Sequence, residues 1–185
     1  MSTVCVFLAD GFEEVEALTP VDLLRRSGVE VTVMSVGPSM EVTGRSGIRV
    51  CADTLWQEEL AAKADMLVLP GGQPGTKNLG AHSGLKEQIL LAFREERWLA
   101  AICAAPTVLA ANGCLQGKRA TCYPGLEPLL EIRGAECVRT EAVVTDGKII
   151  SSRGAGTAIP FSLKLIEVLQ GKEAADKVAA GIVFS

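Results

Sequence analysis

The chain has 185 residues, 48% of them hydrophobic and 22% charged, with a net charge of −4. This suits a single domain over residues 1–185 with a well-buried core, and it excludes a disordered chain. An acidic balance with no basic run excludes the footprint of a nucleic-acid binder, and no apolar run reaches the ~18 residues that a membrane helix needs.

In chain order, Thr3–Ala9 is apolar and predicts a strand. Gly11 opens a turn, and Glu13–Arg26 carries helical spacing at Val15, Leu18, Val21 and Leu24, with Pro20 expected to kink it or to mark a second start. Gly28 falls where a helix C-terminus favours glycine. Val29–Val36 reads as a second strand, 41–43 and 48–51 as short strand pieces, and Leu55–Ala62 as a short helix. Met66–Leu69 is a fully apolar strand that stops at Pro70-Gly71-Gly72. Leu85–Glu96 is amphipathic, and Ala100–Cys103 is the next strand. Pro128–Ile132 predicts a short helix, Ala142–Thr145 and Lys148–Ser151 a hairpin about Asp146-Gly147, and Thr157–Leu169 and Ala174–Ala180 two closing helices. Apolar strands alternating with amphipathic helices predict a doubly wound α/β sandwich with a mainly parallel sheet. In such sheets ligands bind at the carboxyl ends of the strands. Asp10–Glu16, Pro70–Gly75 and Cys103–Pro106 all follow strands, so they converge on one sheet edge.

Cys103 lies between an apolar strand and an Ala-rich segment that has Pro106 in its first turn. Ala101 and Ala105 supply the small residues that a sharp strand-to-helix turn needs, which is the layout of a nucleophile elbow with cysteine at its tip. A helix N-terminus beside the thiol favours the thiolate. The competing reading is an ordinary buried cysteine. Glu13 and Glu14 suit a helix N-terminus as dipole partners, whereas Glu16, set among apolar residues, is expected to point inward, where burial raises a carboxyl pKa. The N–H groups of Gly72 and Ala104 are candidates for an oxyanion site, although a Gly-Gly pair also makes a plain turn. His82, the sole histidine, fits a surface or capping role in the loop 80–84, so a Cys–His pair is not expected.

Six cysteines, Cys5, Cys51, Cys103, Cys114, Cys122 and Cys137, show no metal-type spacing, so no metal or cofactor is expected. Met1–Ala9 lacks a basic leader region and is shorter than a signal peptide. Free thiols in a reducing cytoplasm follow.

Four segments together, Ala9–Glu16, Leu69–Gly72, Ala101–Pro106 and Ser152–Thr157, resemble the ThiJ/PfpI superfamily in its deglycase branch, in order and spacing over essentially the whole chain. The resemblance implies a flavodoxin-like sandwich, a homodimer, a thiolate at Cys103 bonded to a protonated Glu16, and an oxyanion site at Gly72 and Ala104. It implies glutathione-independent glyoxalase or deglycase activity on methylglyoxal, glyoxal or their early adducts. The alternative is a redox-sensing chaperone switched by oxidation of Cys103. Two departures stand out. The protease-like branch carries histidine after the cysteine, and here Ala104 stands there, which disfavours peptidase activity. The deglycase branch draws a histidine from a later loop, and the matching Thr121-Cys122-Tyr123-Pro124 offers Tyr123, either a hydrogen-bond donor or an apolar wall. Arg26 and Arg153 are candidates for positive charge at the pocket mouth or ordinary surface arginines. Val21, Leu24, Val50 and Cys51 are candidates for a dimer face or for core.

Overall fold

A computed structural model describes residues 2–184. Seven strands form the central sheet: β1 (Thr3–Leu8), β2 (Glu30–Ser35), β5 (Thr54–Leu55), β6 (Met66–Leu69), β7 (Trp98–Ile102), β10 (Val143–Asp146) and β11 (Ile149–Ser152). Their spatial order is β10-β11-β7-β6-β1-β2-β5, parallel throughout except for the antiparallel β10–β11 hairpin. The chain winds outward from β1 to β2 and then returns to the other side of β1 with β6. That reversal opens a crevice at the carboxyl ends of β1 and β6, with β7 alongside. This is the doubly wound α/β sandwich that the alternation predicts, in the flavodoxin-like form that the family resemblance implies.

The pleat explains the two core layers. Phe7, Leu67, Leu69 and Leu99 point to one face of the sheet, under α2 (Glu58–Lys63), α3 (Gly75–Ala81), α4 (Ser83–Arg94) and α5 (Pro106–Ala111). Val6, Leu8, Val68 and Ala100 point to the other, where α1 (Glu14–Arg26), α7 (Ala158–Gln170) and α8 (Lys172–Gly181) cover them. Strands buried on both sides read as unbroken apolar runs, which is why β6 is legible to the residue.

Several elements differ from expectation. α1 runs continuously through Pro20, so there is no second start; the proline is buried against the sheet side of the helix. Thr54 and Leu55 pair with β2 as an edge strand, and the helix begins only at Glu58. Cys103 lies outside β7, which stops at Ile102. α3 goes unseen because its Gly75 and Gly80 read as breakers, yet Gly75 is in close contact with Phe12 and any side chain there would collide with that backbone. β3 (Glu41–Thr43) and β4 (Arg49–Cys51) form an antiparallel pair, and β8 (Arg119–Ala120) and β9 (Glu136–Cys137), which frame α6 (Glu127–Glu131), form a parallel one. Among the described residues no helix is long and apolar enough to cross a membrane.

Candidate active site

Cys103 occupies the turn between β7 and α5 with φ +65°, a conformation that non-glycine residues rarely adopt. Two backbone bonds hold it there. Its N–H donates to the Ser152 carbonyl at 2.9 Å, and its carbonyl accepts the Tyr123 N–H at 2.8 Å. Residues kept in strained conformations by their surroundings cluster at functional sites. Pro106 begins α5 where a missing N–H costs nothing, so the helix starts directly behind the elbow.

Glu16 projects from the first turn of α1 and is 1% exposed. Its Oε2 accepts the Gly71 N–H at 3.0 Å, and its side chain is hydrogen-bonded to Cys103. Burial pushes the carboxyl up to about 7, against the pull of the Cys103 and Gly71 hydrogen bonds. Burial also pushes the Cys103 thiol up, and an ionised Glu16 drives it further, to about 12; the N–H groups of Ala104 and Gly72 pull it down. The N–H groups at the helix terminus favour the thiolate, while half-burial of the sulfur and an ionised Glu16 oppose it. A protonated Glu16 therefore favours charge on the sulfur, and an ionised Glu16 opposes it.

Gly72, Ala104, Glu16 and Cys103 thus meet in one place, from three strand ends. Gly72 has φ +90°, and a Cβ on it would overlap the backbone of Gly11 and Phe12. The Gly71 N–H orients Glu16, a role that the sequence signals only through the Gly-Gly pair. Tyr123 is half-exposed at the rim. A Cβ on Gly154 would lie 3.5 Å from the Tyr123 ring and 3.8 Å from Glu16 Oε1, so a bare backbone separates the two.

The other acidic residues of the first turn have structural partners. Glu13 pairs with Arg45 at 3.1 Å. Glu14 Oε1 accepts the Ser46 N–H at 2.9 Å, pinning the β3–β4 turn to α1. Burial would raise the Glu14 pKa, but these backbone bonds outweigh it and hold the carboxyl below its ordinary value. His82 caps α4 through Nδ1, which accepts the Leu85 N–H at 3.0 Å, and packs on Trp56. Arg26 is not at the pocket mouth. It ends α1, ten residues or about 15 Å along the helix from Glu16, and it pairs with Asp22 at 2.8 Å. Helical periodicity says which face a residue occupies, but only the direction of the helix says which end meets the site. Arg153 directly follows Ser152, is half-buried, and makes no ion pair among the described residues. Val21 and Leu24 belong to the core, which removes them from any dimer face, whereas Cys51 is exposed and Val50 half-buried.

The chain resembles known proteins along its length. A model described as the DJ-1/PfpI family matches residues 2–168. Protein dj-1beta of Drosophila melanogaster is 39% identical over 180 residues, covering 97% of this chain and 96% of the fly protein. A deglycase of Pyrococcus abyssi is 33% identical over 167 residues, covering 90% of this chain and 99% of its own. The oxidised structure of Toxoplasma gondii DJ-1 superposes with a TM-score of 0.93 at 35% identity, covering both chains completely.

Proposed function

Because the chain belongs to the DJ-1/PfpI family, we propose that it is a cysteine-dependent glyoxalase or deglycase, independent of glutathione, that acts on methylglyoxal, glyoxal or their early adducts. The observation that carries this reading is the buried Glu16 carboxyl bonded to Cys103, with the N–H groups of Gly72 and Ala104 at the same sulfur. The Cys103 sulfur adds to the aldehyde carbon and forms the C–S bond of a hemithioacetal, while the thiol proton passes through Glu16. The Gly72 and Ala104 N–H groups stabilise charge on the aldehyde oxygen as it develops. Glu16, with a pKa near neutrality, then moves the proton from the former aldehyde carbon to the adjacent ketone carbon. The first carbon is oxidised to a thioester and the second reduced to an alcohol, with no external electron acceptor. Water cleaves the thioester, releases the 2-hydroxy acid and restores the thiol. The absence of a histidine at Cys103 fits this chemistry, because a carboxyl relay between neighbouring carbons needs none.

The direct test is formation of lactate from methylglyoxal, present for the wild type and lost in Cys103→Ala. The reading includes a homodimer, for which Val15 and Leu18 on α1 are among the exposed apolar positions. Light scattering that returned a monomer across micromolar concentrations would remove that part of it.

A second reading is a redox sensor or redox-switched chaperone. It is favoured by the partial exposure of Cys103 beside two N–H donors that would accept the oxygens of a sulfinate. Limiting peroxide should then modify Cys103 before the exposed Cys51 and leave the buried Cys5, Cys114 and Cys122 untouched. Modification of Cys51 first would count against it.

A further inference from the structure

Gly154 lies two residues past Ser152, whose carbonyl accepts the Cys103 N–H at 2.9 Å. Its backbone is tied on both sides. The Gly154 N–H donates to Thr157 Oγ1 at 3.1 Å, and the Gly154 carbonyl accepts the Thr157 N–H at 2.8 Å. Thr157 Oγ1 lies 2.7 Å from Ser152 Oγ, which donates to the Ala142 carbonyl at 2.7 Å. The segment that holds the nucleophile therefore also fixes Gly154. The residue is half-buried with φ 165°, an extended backbone that any residue adopts, so conformational freedom does not call for glycine here. Avoidance of a collision does not call for it either. The atoms nearest to a Cβ would be Tyr123 Cδ2 at 3.5 Å, Glu16 Oε1 at 3.8 Å and Tyr123 Cε2 at 3.9 Å, all ordinary contact distances. Gly71 and Gly72 differ, since a Cβ on either would overlap its neighbours. What Gly154 leaves is room for a methyl-sized group between the Glu16 carboxyl and the edge of the Tyr123 ring.

Resting on the reading above, we propose that Gly154 is a specificity-determining residue, and that the room it leaves receives the substituent on the second carbon of the oxoaldehyde. The other sides of the reacting group are taken. The Cys103 sulfur holds the first carbon, the Gly72 and Ala104 N–H groups take its oxygen, and the Gly71 N–H occupies Glu16 Oε2 at 3.0 Å. Proton transfer needs the second carbon beside the same carboxyl, and Oε1 is the carboxyl oxygen that lies toward Gly154. The second carbon then carries its substituent over the Gly154 backbone, against the carbon edge of the Tyr123 ring. Because Thr157 ties both the N–H and the carbonyl of Gly154, the backbone resists withdrawal from a larger group. The size limit at this point is set by a missing side chain.

The test compares glyoxal, which has a hydrogen on the second carbon, with methylglyoxal, which has a methyl. In Gly154→Ala the ratio of kcat/KM for methylglyoxal to that for glyoxal should fall about tenfold, the low end of what a methyl-sized change does in a fitted pocket. The Tm should hold or rise, because alanine on a compatible backbone narrows the unfolded ensemble. An unchanged ratio would show that no substituent sits over Gly154, and a lowered Tm would show that the position has no spare room; either overturns the proposal. Alkylation of Cys103 reads the same space without turnover. Iodoacetamide and iodoacetanilide both join a methylene to sulfur, but the second carries a ring on the amide of the next carbon. The ratio of the iodoacetanilide rate to the iodoacetamide rate should also fall about tenfold in Gly154→Ala. Failure of the wild type to turn over either aldehyde would remove the catalytic reading instead. The alkylation ratio would then decide the room at Gly154 by itself, and an unchanged ratio would overturn it.

Discussion

Glu16 and Cys103 face one another across a gap that position 71 leaves open only because it is glycine. A Cβ there would lie 2.5 Å from Glu16 Oε2 and 2.6 Å from Cys103 Cβ. Gly71→Ala should therefore push the pair apart and cost about 1–3 kcal/mol of stability as an over-packed site. Aldehyde turnover should fall far more than this stability loss explains, as measured by kcat/KM beside denaturant unfolding.

Glu16 should make stability depend on pH. Its carboxyl holds a proton more tightly folded, at about 7, than at its ordinary value of 4.5. The folded state therefore binds the extra proton between those values. Stability is fully present below about 4.5 and falls as pH rises through about 7, by about 3 kcal/mol in all. Glu16→Gln should remove that slope and abolish turnover while leaving the fold intact. Unfolding of both proteins between pH 5 and 8 checks the slope, and Glu13→Gln, which breaks the pair with Arg45 and acts on Glu16 only through its charge, should affect turnover less.

Glu16 should also set the reactivity of the thiol. Below about pH 7 the carboxyl carries the proton and supports charge on sulfur; above it, the carboxylate opposes that charge. Cys103 should react with iodoacetamide more slowly in Glu16→Leu than in the wild type near pH 6, and the gap should narrow toward pH 9. Equal rates at every pH would show that the two groups do not communicate.

Tyr123 holds the elbow through its backbone, and its side chain is half-exposed at the rim with no hydrogen bond from its hydroxyl among the described residues. Tyr123→Phe should lower turnover by the ~0.5–1.5 kcal/mol of one net hydrogen bond and leave Tm unchanged. Unchanged kinetics would make the ring an apolar wall only.

The two candidate arginines should separate cleanly. Arg26→Ala breaks an exposed pair with Asp22, so it should leave kcat/KM alone and change stability by less than about 1 kcal/mol. Arg153→Ala, beside Ser152 and Gly154 at the site, should raise KM.

Wherever the deciding forces are local, the sequence was sufficient. The apolar run at Met66–Leu69 and the strand–cysteine–proline junction at Cys103 each depend on burial period or turn chemistry within a few residues, and each stands where it is expected; the hairpin also forms, but one residue later than expected, with its turn at Gly147-Lys148 because Asp146 pairs with Ile149. The inward turn of Glu16 was legible for the same reason, from its apolar neighbours. Tertiary structure alone decided what depends on distant partners. Short strands such as β5, β8 and β9 exist only because a remote strand pairs with them. Glu14 is buried because the β3–β4 turn folds over it, 32 residues away in the chain. Arg26 is removed from the site by the length of its helix. The raised pKa of Glu16 depends on burial, on the N–H of Gly71 and on the sulfur at once, and those groups lie on three different strand ends that only the folded sheet brings together.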